Sequence, residues 1–172
     1  MSRSAGNDGF DEFATAAWPR LRRSAYLLTG DHHLAEDLAQ TALVRTYAHW
    51  RRVRRADVLA YTRRVLVNLN IDRIRRKHGT FEVGDTLLET VPSRPDTRVD
   101  ERDEAVRLLH TLTDRERRIV VLRHYFDLSE AEVAHELGVA RGTVKSTLSR
   151  ALGKLRVAAA DGDRTYEEVV GQ

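Results

Sequence analysis

Residues 128–156 read LSEAEVAHELGVARGTVKSTLSRALGKLR, a stretch that predicts two helices joined by a tight turn. Ser129 and Glu132 form an S-x-x-E capping box, which predicts that the first helix begins there. Gly138 follows at a point where helices often end on a positive φ, a conformation that costs glycine little. The second helix is predicted from residue 141 to about residue 156. Together these elements form a helix-turn-helix pattern.

The second helix of this pattern has two different faces when its residues are placed at steps of about 100°. One face is apolar and is predicted to pack inward: Val144, Leu148, Ala151, Leu152 and Leu155. The opposite face is small or hydrogen-bonding: Gly142, Thr143, Ser146, Ser149, Arg150 and Gly153. A simple solvated face is the alternative, but the capped first helix and the glycine turn favour approach to a DNA major groove. The predicted duplex contacts, with Arg150 as the guanine-binding residue, are Arg141, Thr143, Lys145, Ser146, Ser149 and Arg150.

The residues before this pattern extend the helical prediction towards the middle of the chain. A short helix is predicted at 101–111. Thr113 and Glu116 form another capping box, which predicts an apolar-faced helix that continues to Phe126. This helix is expected to support the helix-turn-helix.

Three amphipathic helices are predicted in the first half of the chain. Apolar residues recur at steps of three or four from Phe10 onwards, and Thr29-Gly30 provides a stop. Asp31 is placed to cap a second helix. A third is predicted from about residue 57 to residue 78.

These elements predict an all-α protein of two small helical domains, at residues 10–78 and 101–157. Between them, residues 79–100 lose periodicity and contain two prolines among acidic residues, which predicts a flexible linker. Residues 1–9 are predicted to be disordered, and residues 158–172 to form a flexible acidic tail.

The net charge of +3 is distributed unevenly along the 172 residues. Residues 51–77 hold ten Arg or Lys against two Asp, and residues 141–156 hold five Arg or Lys and no acidic residue. The remainder of the chain is therefore acidic. Two basic segments on an otherwise acidic chain predict contact with a polyanion at two places.

One side of the third helix carries a polar stripe at steps of three and four: Tyr61, Arg64, Asn68, Asp72 and Arg75. Aromatic, amide and basic groups together suit single-stranded bases better than duplex phosphates. A structural stripe that faces a neighbouring helix, with Asp72 paired to Arg75 or Arg76, explains the composition equally well. The Arg-rich loop at 51–55 is a further candidate for contact with the nucleic-acid backbone or a base.

Several classes of site are not predicted. The chain has no cysteine, which excludes disulfides and Cys-based zinc sites. Its seven histidines show no H-x-x-x-H spacing, and no phosphate loop or nucleophile elbow occurs, so we expect no catalysis, metal or cofactor. No apolar run approaches the roughly 20 residues that span a bilayer, and no secretory signal is recognised. We therefore expect a cytoplasmic protein without membrane insertion.

Two blocks of the sequence resemble one known family. LTGDHHLAEDLAQTALVRTYAHW (28–50) and AYTRRVLVNLNIDRIRR (60–76) resemble region 2 of extracytoplasmic-function (ECF) sigma factors. LTDRERRIVVLRHYFDLSEAEVAHELGVARGTVKSTLSRALGKLR (112–156) resembles region 4 of the same family. The similarity is greatest to the actinobacterial SigE-like group. Two blocks in this order, joined by a proline-containing linker, are far more specific than one helix-turn-helix, and no counterpart of sigma region 1.1 or region 3 is expected.

The resemblance implies a factor that carries core RNA polymerase to a promoter and helps to open it. The second helix of the first domain, which begins after Asp31, would dock on the clamp coiled coil of the β′ subunit through Asp37, Gln40, Thr41 and Arg45. The single-stranded -10 element would contact Arg51, Arg52, Arg54, Arg55, Tyr61, Arg64, Asn68 and Arg75. The helix-turn-helix would bind the duplex -35 element, and the polymerase β flap and an anti-sigma factor are further implied partners. The loop RRVRRADVL at 51–59 is more basic than expected of a base-capturing loop, so the identity of the captured base stays open.

Two rival functions remain at this point. A stand-alone helix-turn-helix repressor or activator would dimerise on palindromic duplex DNA without polymerase. The chain has no evident dimer helix, and it has a second basic surface that such a regulator does not need. An enzyme is disfavoured because no catalytic motif is present. The polar face of the second helix of the first domain, taken alone, does not require a binding partner.

Overall fold

The computed structural model describes residues 9–53, 57–77, 79 and 103–170, with 162–170 described in backbone only. The α-helices in chain order are α1 (Phe10–Thr29), α2 (His32–Ala48), α3 (Val58–Lys77), α4 (Glu104–Leu109), α5 (Asp114–Val120), α6 (Glu130–Leu137) and α7 (Arg141–Val170). The described residues contain no β-strand, and the chain divides into two compact units, Met1–Glu82 and Val83–Gln172. The predicted all-α fold with two helical domains is confirmed.

The first unit is built from α1, α2 and α3, which pack against one another. α1 ends at Gly30 with φ 71°, and the Gly30 N–H donates to the Tyr26 carbonyl at 2.8 Å. α2 begins at Asp31, whose carboxylate accepts the Leu34 N–H at 3.0 Å. The predicted stop and the predicted cap are both confirmed.

The core of the first unit combines leucines with small alanines, and its fully buried members include Leu21, Ala25, Ala35, Ala39, Ala42 and Leu66. Small side chains on α2 let the neighbouring helices approach closely. Thr46 and Thr62 are also fully buried, and their hydroxyl oxygens lie 3.0 Å apart between α2 and α3. Each hydroxyl also lies 2.8 Å from the carbonyl four residues earlier, so both are satisfied within apolar packing.

The second unit is organised around α7, which packs against α4, α5 and α6. The predicted inward face of α7 is buried at Val144, Leu148 and Ala151, and the two leucines beyond them are half-buried. Both predicted capping boxes are formed. The hydroxyls of Thr113 and Ser129 accept the N–H groups of Glu116 and Glu132, each at 3.2 Å.

A buried arginine holds the turn between α4 and α5. Arg117 is 1% exposed, and its Nη1 donates to Asp114 Oδ1 at 2.9 Å. Its Nε and Nη2 donate to the carbonyls of Leu109 and Leu112 at 3.0 and 2.9 Å. These bonds satisfy a charged group that would otherwise be costly to bury, and they tie the end of α4 to the start of α5.

The helix predicted to continue to Phe126 is interrupted, which corrects the sequence prediction. α5 ends at Val120, and Val121–Tyr125 forms a π-helical turn in which the Phe126 N–H donates to the Val121 carbonyl at 3.2 Å. The wider turn changes the phase of the helix and buries Val121 and Phe126 together. Asp127 follows with φ 56°, a left-handed conformation that Asp tolerates better than most non-glycine residues. Periodicity could not reveal this turn because the apolar residues before it are consecutive.

The last helix is longer than predicted. α7 does not end near Arg156 but continues to Val170, so the segment predicted to be a flexible tail is helical backbone up to that residue. Alanines at 158–160 have the highest helix propensity, and no proline follows them. The apolar pattern stops at the same point, which is why periodicity alone predicted an end.

Some predictions lie outside the described residues: the disordered start up to residue 8, the linker over 80–100, and the contacts of Arg54 and Arg55. Within the described ranges, no helix is long and apolar enough to cross a membrane. The same residues contain no group of three or more His, Cys, Asp or Glu that could hold a metal ion.

Candidate nucleic-acid interface

The helix-turn-helix holds α7 with one side exposed. Gly138 adopts φ 65° and ψ 35°, as predicted, and the next N–H, of Val139, donates to the Ala134 carbonyl at 3.0 Å. The Ala140 carbonyl then accepts the Val144 N–H at 3.2 Å, which starts α7. Because the Val144 side chain is fully buried, residues about half a turn away on α7 face the solvent.

The predicted duplex-binding residues lie together on this exposed side. Thr143 is half-buried, and the others are exposed: Arg141, Lys145, Ser146, Ser149 and Arg150. Arg141 Nε lies 3.5 Å from Glu130 Oε2, and Arg150 Nη2 lies 3.4 Å from Thr147 Oγ1. Long contacts at an exposed surface are weak. These basic groups can therefore replace them with contacts to a ligand.

Lys154 belongs to the same basic segment but is held by the protein. Its Nζ donates to both carboxylate oxygens of Glu116, at 2.7 and 2.9 Å. Burial acts to raise the pKa of the Glu116 carboxyl. The hydrogen bonds from Lys154 and from the Thr113 backbone, with the charge of Lys154, outweigh burial and lower that pKa below its ordinary value. Lys154 therefore joins α7 to α5 instead of extending the exposed recognition face.

The polar stripe of α3 faces solvent. Tyr61 is half-buried, and the others are exposed: Arg64, Asn68, Asp72 and Arg75. Arg76 Nε donates to the backbone carbonyl of Asp72 at 3.2 Å, and the Asp72 carboxylate forms no ion pair with the described residues. This exposure excludes a stripe packed against a neighbouring helix, which was one of the two explanations that the sequence left open.

A cavity of about 340 Å³ opens where α3 begins. Its volume lies near the lower end of small-molecule pockets, roughly 300 to 1,000 Å³. The rings of His49 and Tyr61 contact each other in its wall, with centroids 6.1 Å apart and planes tilted by 48°. His49 Nδ1 lies 3.0 Å from the Arg45 carbonyl. Because a carbonyl can only accept, this contact is a hydrogen bond when Nδ1 carries the hydrogen.

The cavity brings together three residues that the sequence assigned to one surface, Arg52, Tyr61 and Arg64. Arg51 is exposed in the adjoining loop, and Asn68 and Arg75 lie further along α3. The other lining residues are His49, Val53, Asp57 and Ala60. The loop at 51–59 that the resemblance assigned to base capture contains Val53 and Asp57, but sequence reasoning named none of the four as a site residue. No periodic signal connects these four, because they come from the end of α2, a loop and the start of α3.

The exposed side of α2 holds the predicted polymerase-binding residues, all of which are exposed: Asp37, Gln40, Thr41 and Arg45. Val44 and Tyr47 lie among them with 63% and 49% of their surface exposed. Sequence reasoning did not single out Val44, although it lies four residues after Gln40 on one helix face. Apolar side chains within a polar rim are typical of a protein-docking surface.

Comparison with known proteins identifies the family. The Sigma-70 region 2 family matches residues 14–80, and the Sigma-70 region 4 family matches residues 102–155. The RNA polymerase sigma-E factor of Streptomyces avermitilis is 40% identical over 159 residues, which cover 86% of this chain and 83% of that protein. The ECF RNA polymerase sigma factor SigL of Mycobacterium tuberculosis is 30% identical over 155 residues, covering 86% and 85%. The chain belongs to the ECF family of RNA polymerase sigma factors.

The family gives the two units their function. As a sigma factor, the chain directs RNA polymerase to promoters, with region 2 in α1–α3 and region 4 around the helix-turn-helix of α6 and α7. A solved structure of the sigma factor RpoE in complex with the anti-sigma factor NepR from Bartonella quintana is similar, with a TM-score of 0.64 and 25% identity. The match covers 86% of this chain and 94% of that one. The predicted ECF sigma factor is confirmed.

Proposed function

We propose that this sigma factor binds promoter DNA at two elements, as duplex at -35 through region 4 and as single strand at -10 through region 2. One observation carries the proposal: each unit exposes its own basic and polar surface, along α7 in one and at the start of α3 in the other. The sigma factor supplies binding contacts, and the polymerase forms the phosphodiester bonds. We therefore assign no catalytic role to this chain.

At the -35 element, the exposed face of α7 enters the major groove. Gly142 and Ser146 are small and let the helix approach the base edges. Arg150 is placed to donate two hydrogen bonds to guanine, a contact worth about 1–3 kcal/mol of discrimination. Arg141 and Lys145 lie towards the N-terminal end of the helix and contact phosphates, which fix the register without reading sequence.

At the -10 element, the start of α3 and its cavity receive unstacked bases. Tyr61 stacks on a base, and Asn68 hydrogen-bonds to a base edge. The arginines around them neutralise the phosphates: Arg51, Arg52, Arg64 and Arg75. The lining of the cavity, part aromatic and part charged, suits a base better than a phosphate alone.

Promoter opening is driven by exchanging base pairs for protein contacts. Each step of DNA stacking that is lost costs on the order of 1.4 kcal/mol. Stacking a base on an aromatic side chain returns about 1–3 kcal/mol. Holding a few unstacked bases therefore balances the melting of a similar number of base pairs, and polymerase stabilises the bubble further.

We further propose that α2 docks on the clamp coiled coil of β′, with Val44 at the apolar centre of a rim formed by Asp37, Gln40, Thr41 and Arg45. Removing an apolar anchor at the centre of an interface usually costs more affinity than removing a rim residue. The β flap contacts region 4. An anti-sigma factor is a further partner, as in the Bartonella complex, and the protein works in the cytoplasm, where polymerase and DNA are found.

The proposed function is tested by run-off transcription with purified actinobacterial core RNA polymerase. The full-length protein is added to a library of promoter fragments, supplied as intact duplexes and as templates pre-melted at the start site. We expect specific initiation only when core and protein are both present. Tyr61→Ala should be defective on intact duplexes and largely rescued by pre-melting, whereas Arg150→Ala should be defective on both. Duplex binding by the protein alone without initiation would indicate a stand-alone regulator instead.

A further inference from the structure

We propose that Thr147 is a positioning residue for recognition of the -35 element. Its buried hydroxyl orients the Arg150 guanidinium so that this group can form two hydrogen bonds with guanine. The inference rests on the proposed binding of duplex DNA by region 4, and it adds a residue that acts through Arg150 without touching the DNA. Sequence reasoning assigned Thr147 to neither face of α7.

Thr147 lies at the edge between the buried and the exposed side of α7. It is 3% exposed, and Val144 and Ala151 beside it on the helix are fully buried. Arg150 follows three residues later, next to Thr147 on the helix surface, and is exposed. Its Nη2 donates to Thr147 Oγ1 at 3.4 Å. A buried acceptor of the domain therefore contacts the exposed group that is assigned to guanine.

The hydroxyl of Thr147 is used differently from those of other buried helical threonines. In the first unit, three of them each donate to the carbonyl four residues earlier, at 2.8 Å: Thr29, Thr46 and Thr62. This local bond is common for threonine in a helix. In α7, the Thr143 carbonyl instead accepts from Ser146 Oγ at 3.2 Å. Among the described residues, Thr147 Oγ1 has Arg150 as its hydrogen-bond partner and bonds to no backbone carbonyl.

The contact with Thr147 places the guanidinium on the part of α7 that approaches the bases. Long helical side chains lean towards the N-terminus, so this bond holds the Arg150 guanidinium over the preceding turn. Recognition helices contact base edges mainly through their N-terminal residues. Each terminal nitrogen of the guanidinium carries two hydrogens. Nη2 can therefore keep one on Thr147, while Nη1 and Nη2 each donate another to the O6 and N7 atoms of guanine.

Pre-organisation of Arg150 is the physical source of the expected effect. An arginine side chain loses conformational freedom when it is ordered at an interface, and a bond that orders it beforehand reduces this cost. A two-bond contact with guanine requires one orientation of the guanidinium, whereas a phosphate contact tolerates many. Because a 3.4 Å contact at the surface is weak, we expect its removal to reduce the preference for guanine and not to abolish it.

The test compares guanine with 7-deazaguanine, which pairs normally but lacks the N7 acceptor. Core polymerase and the full-length protein are assembled on the promoter found in the run-off experiment, and each guanine of the -35 duplex is replaced in turn. Equilibrium competition binding is the readout. We expect the wild-type holoenzyme to lose about tenfold in affinity at one guanine. Arg150→Ala should abolish this loss, which identifies the guanine that Arg150 contacts.

Matched variants connect the loss to the Thr147 hydroxyl. Thr147→Val keeps the branched shape without the hydroxyl and should reduce the loss on 7-deazaguanine to about threefold, mainly by weakening binding to guanine. Thr147→Ser keeps the hydroxyl and should retain the full loss. Thr111→Val is the control, because it removes an exposed hydroxyl that donates to the Leu108 carbonyl in the same unit. A ratio of two affinities does not depend on the fraction of folded protein, so a merely structural role of Thr147 would leave it unchanged.

Two outcomes overturn the inference: a Thr147→Val holoenzyme that retains the full loss on 7-deazaguanine, or a Thr147→Ser holoenzyme whose loss is reduced as much as that of Thr147→Val. If no guanine of the -35 duplex shows a loss that Arg150→Ala abolishes, the proposed guanine contact fails instead. The two failures are therefore distinguishable in one series of experiments.

Discussion

Among single residues, Glu116 connects two elements of the second unit. Its carboxylate accepts the Thr113 N–H at the start of α5 and the Lys154 Nζ from α7. Glu116 is buried and the Lys154 side chain is half exposed, so solvent screens part of their attraction. The sequence predicted the capping box, but it grouped Lys154 with the cations of the second basic segment. A local pattern does not report a partner 38 residues away.

We expect Glu116→Gln to lower the free energy of unfolding of the second unit by about 1 kcal/mol at neutral pH. The pKa of this carboxyl is lower in the folded protein than its ordinary value of 4.5. Its charge therefore contributes stability above that value, and the contribution is lost as the pH falls through the folded pKa. Urea titrations should show the difference between wild type and variant shrinking below pH 4.5.

The control for this prediction is Glu132→Gln, which changes the same position of the other capping box. Glu132 is exposed, so a smaller loss of stability is expected. A Glu116→Gln difference that persists undiminished in acid would show that the ion pair with Lys154 contributes nothing.

Among the elements, α7 changes its role along its length. Over its first three turns one side exposes the recognition face while the other is buried at Val144 and Ala151, and further along Lys154 joins α5. Gly142 is exposed and Gly153 is half-buried, and a Cβ at either position would meet nothing within 4 Å. The fold therefore does not require glycine at these positions, although glycine in a helix interior, as at Gly153, is destabilising by roughly 1 kcal/mol relative to alanine.

We expect Gly153→Ala to raise the free energy of unfolding by about 0.5–1 kcal/mol, and Gly142→Ala, in the first turn of α7, to raise it by less. Gly142→Ala should also weaken binding to a -35 duplex, because the start of the recognition helix approaches the bases most closely. Gly153 lies about 16 Å further along the helix axis, so its substitution should leave binding unchanged. Thermal unfolding and fluorescence anisotropy measure the two effects. Equal DNA affinity of both variants would remove Gly142 from the interface.

At the scale of the whole molecule, the charge is divided between two basic surfaces, one in each unit, on a chain that is otherwise acidic. Contacts with phosphates release counterions and make binding dependent on salt, whereas contacts with base edges decide sequence preference. Arg141 is close to Glu130, which offsets part of its charge. Lys145 is therefore the clearer probe of a phosphate contact.

We expect Lys145→Ala to weaken holoenzyme binding to all -35 sequences alike and to reduce the slope of log affinity against log salt by about 0.9. Arg150→Ala should instead relax the preference at one base pair. Affinities measured across a series of salt concentrations, on matched and substituted -35 duplexes, separate the two effects. An Arg150→Ala variant that loses affinity equally on every sequence would contradict its assignment as the guanine-binding residue.

The sequence alone determined the helix boundaries at Gly30, Asp31, Thr113 and Ser129, the helix-turn-helix and the exposed face of α7. Each of these depends on bonds or periodicity within a few neighbouring residues, and the two blocks that carry them also identify the family. Only the tertiary structure decided that Lys154 pairs with Glu116, that the stripe on α3 faces solvent, and that His49 and Asp57 share a cavity. These features depend on the packing of residues from different helices, whose distances and burial no local pattern contains.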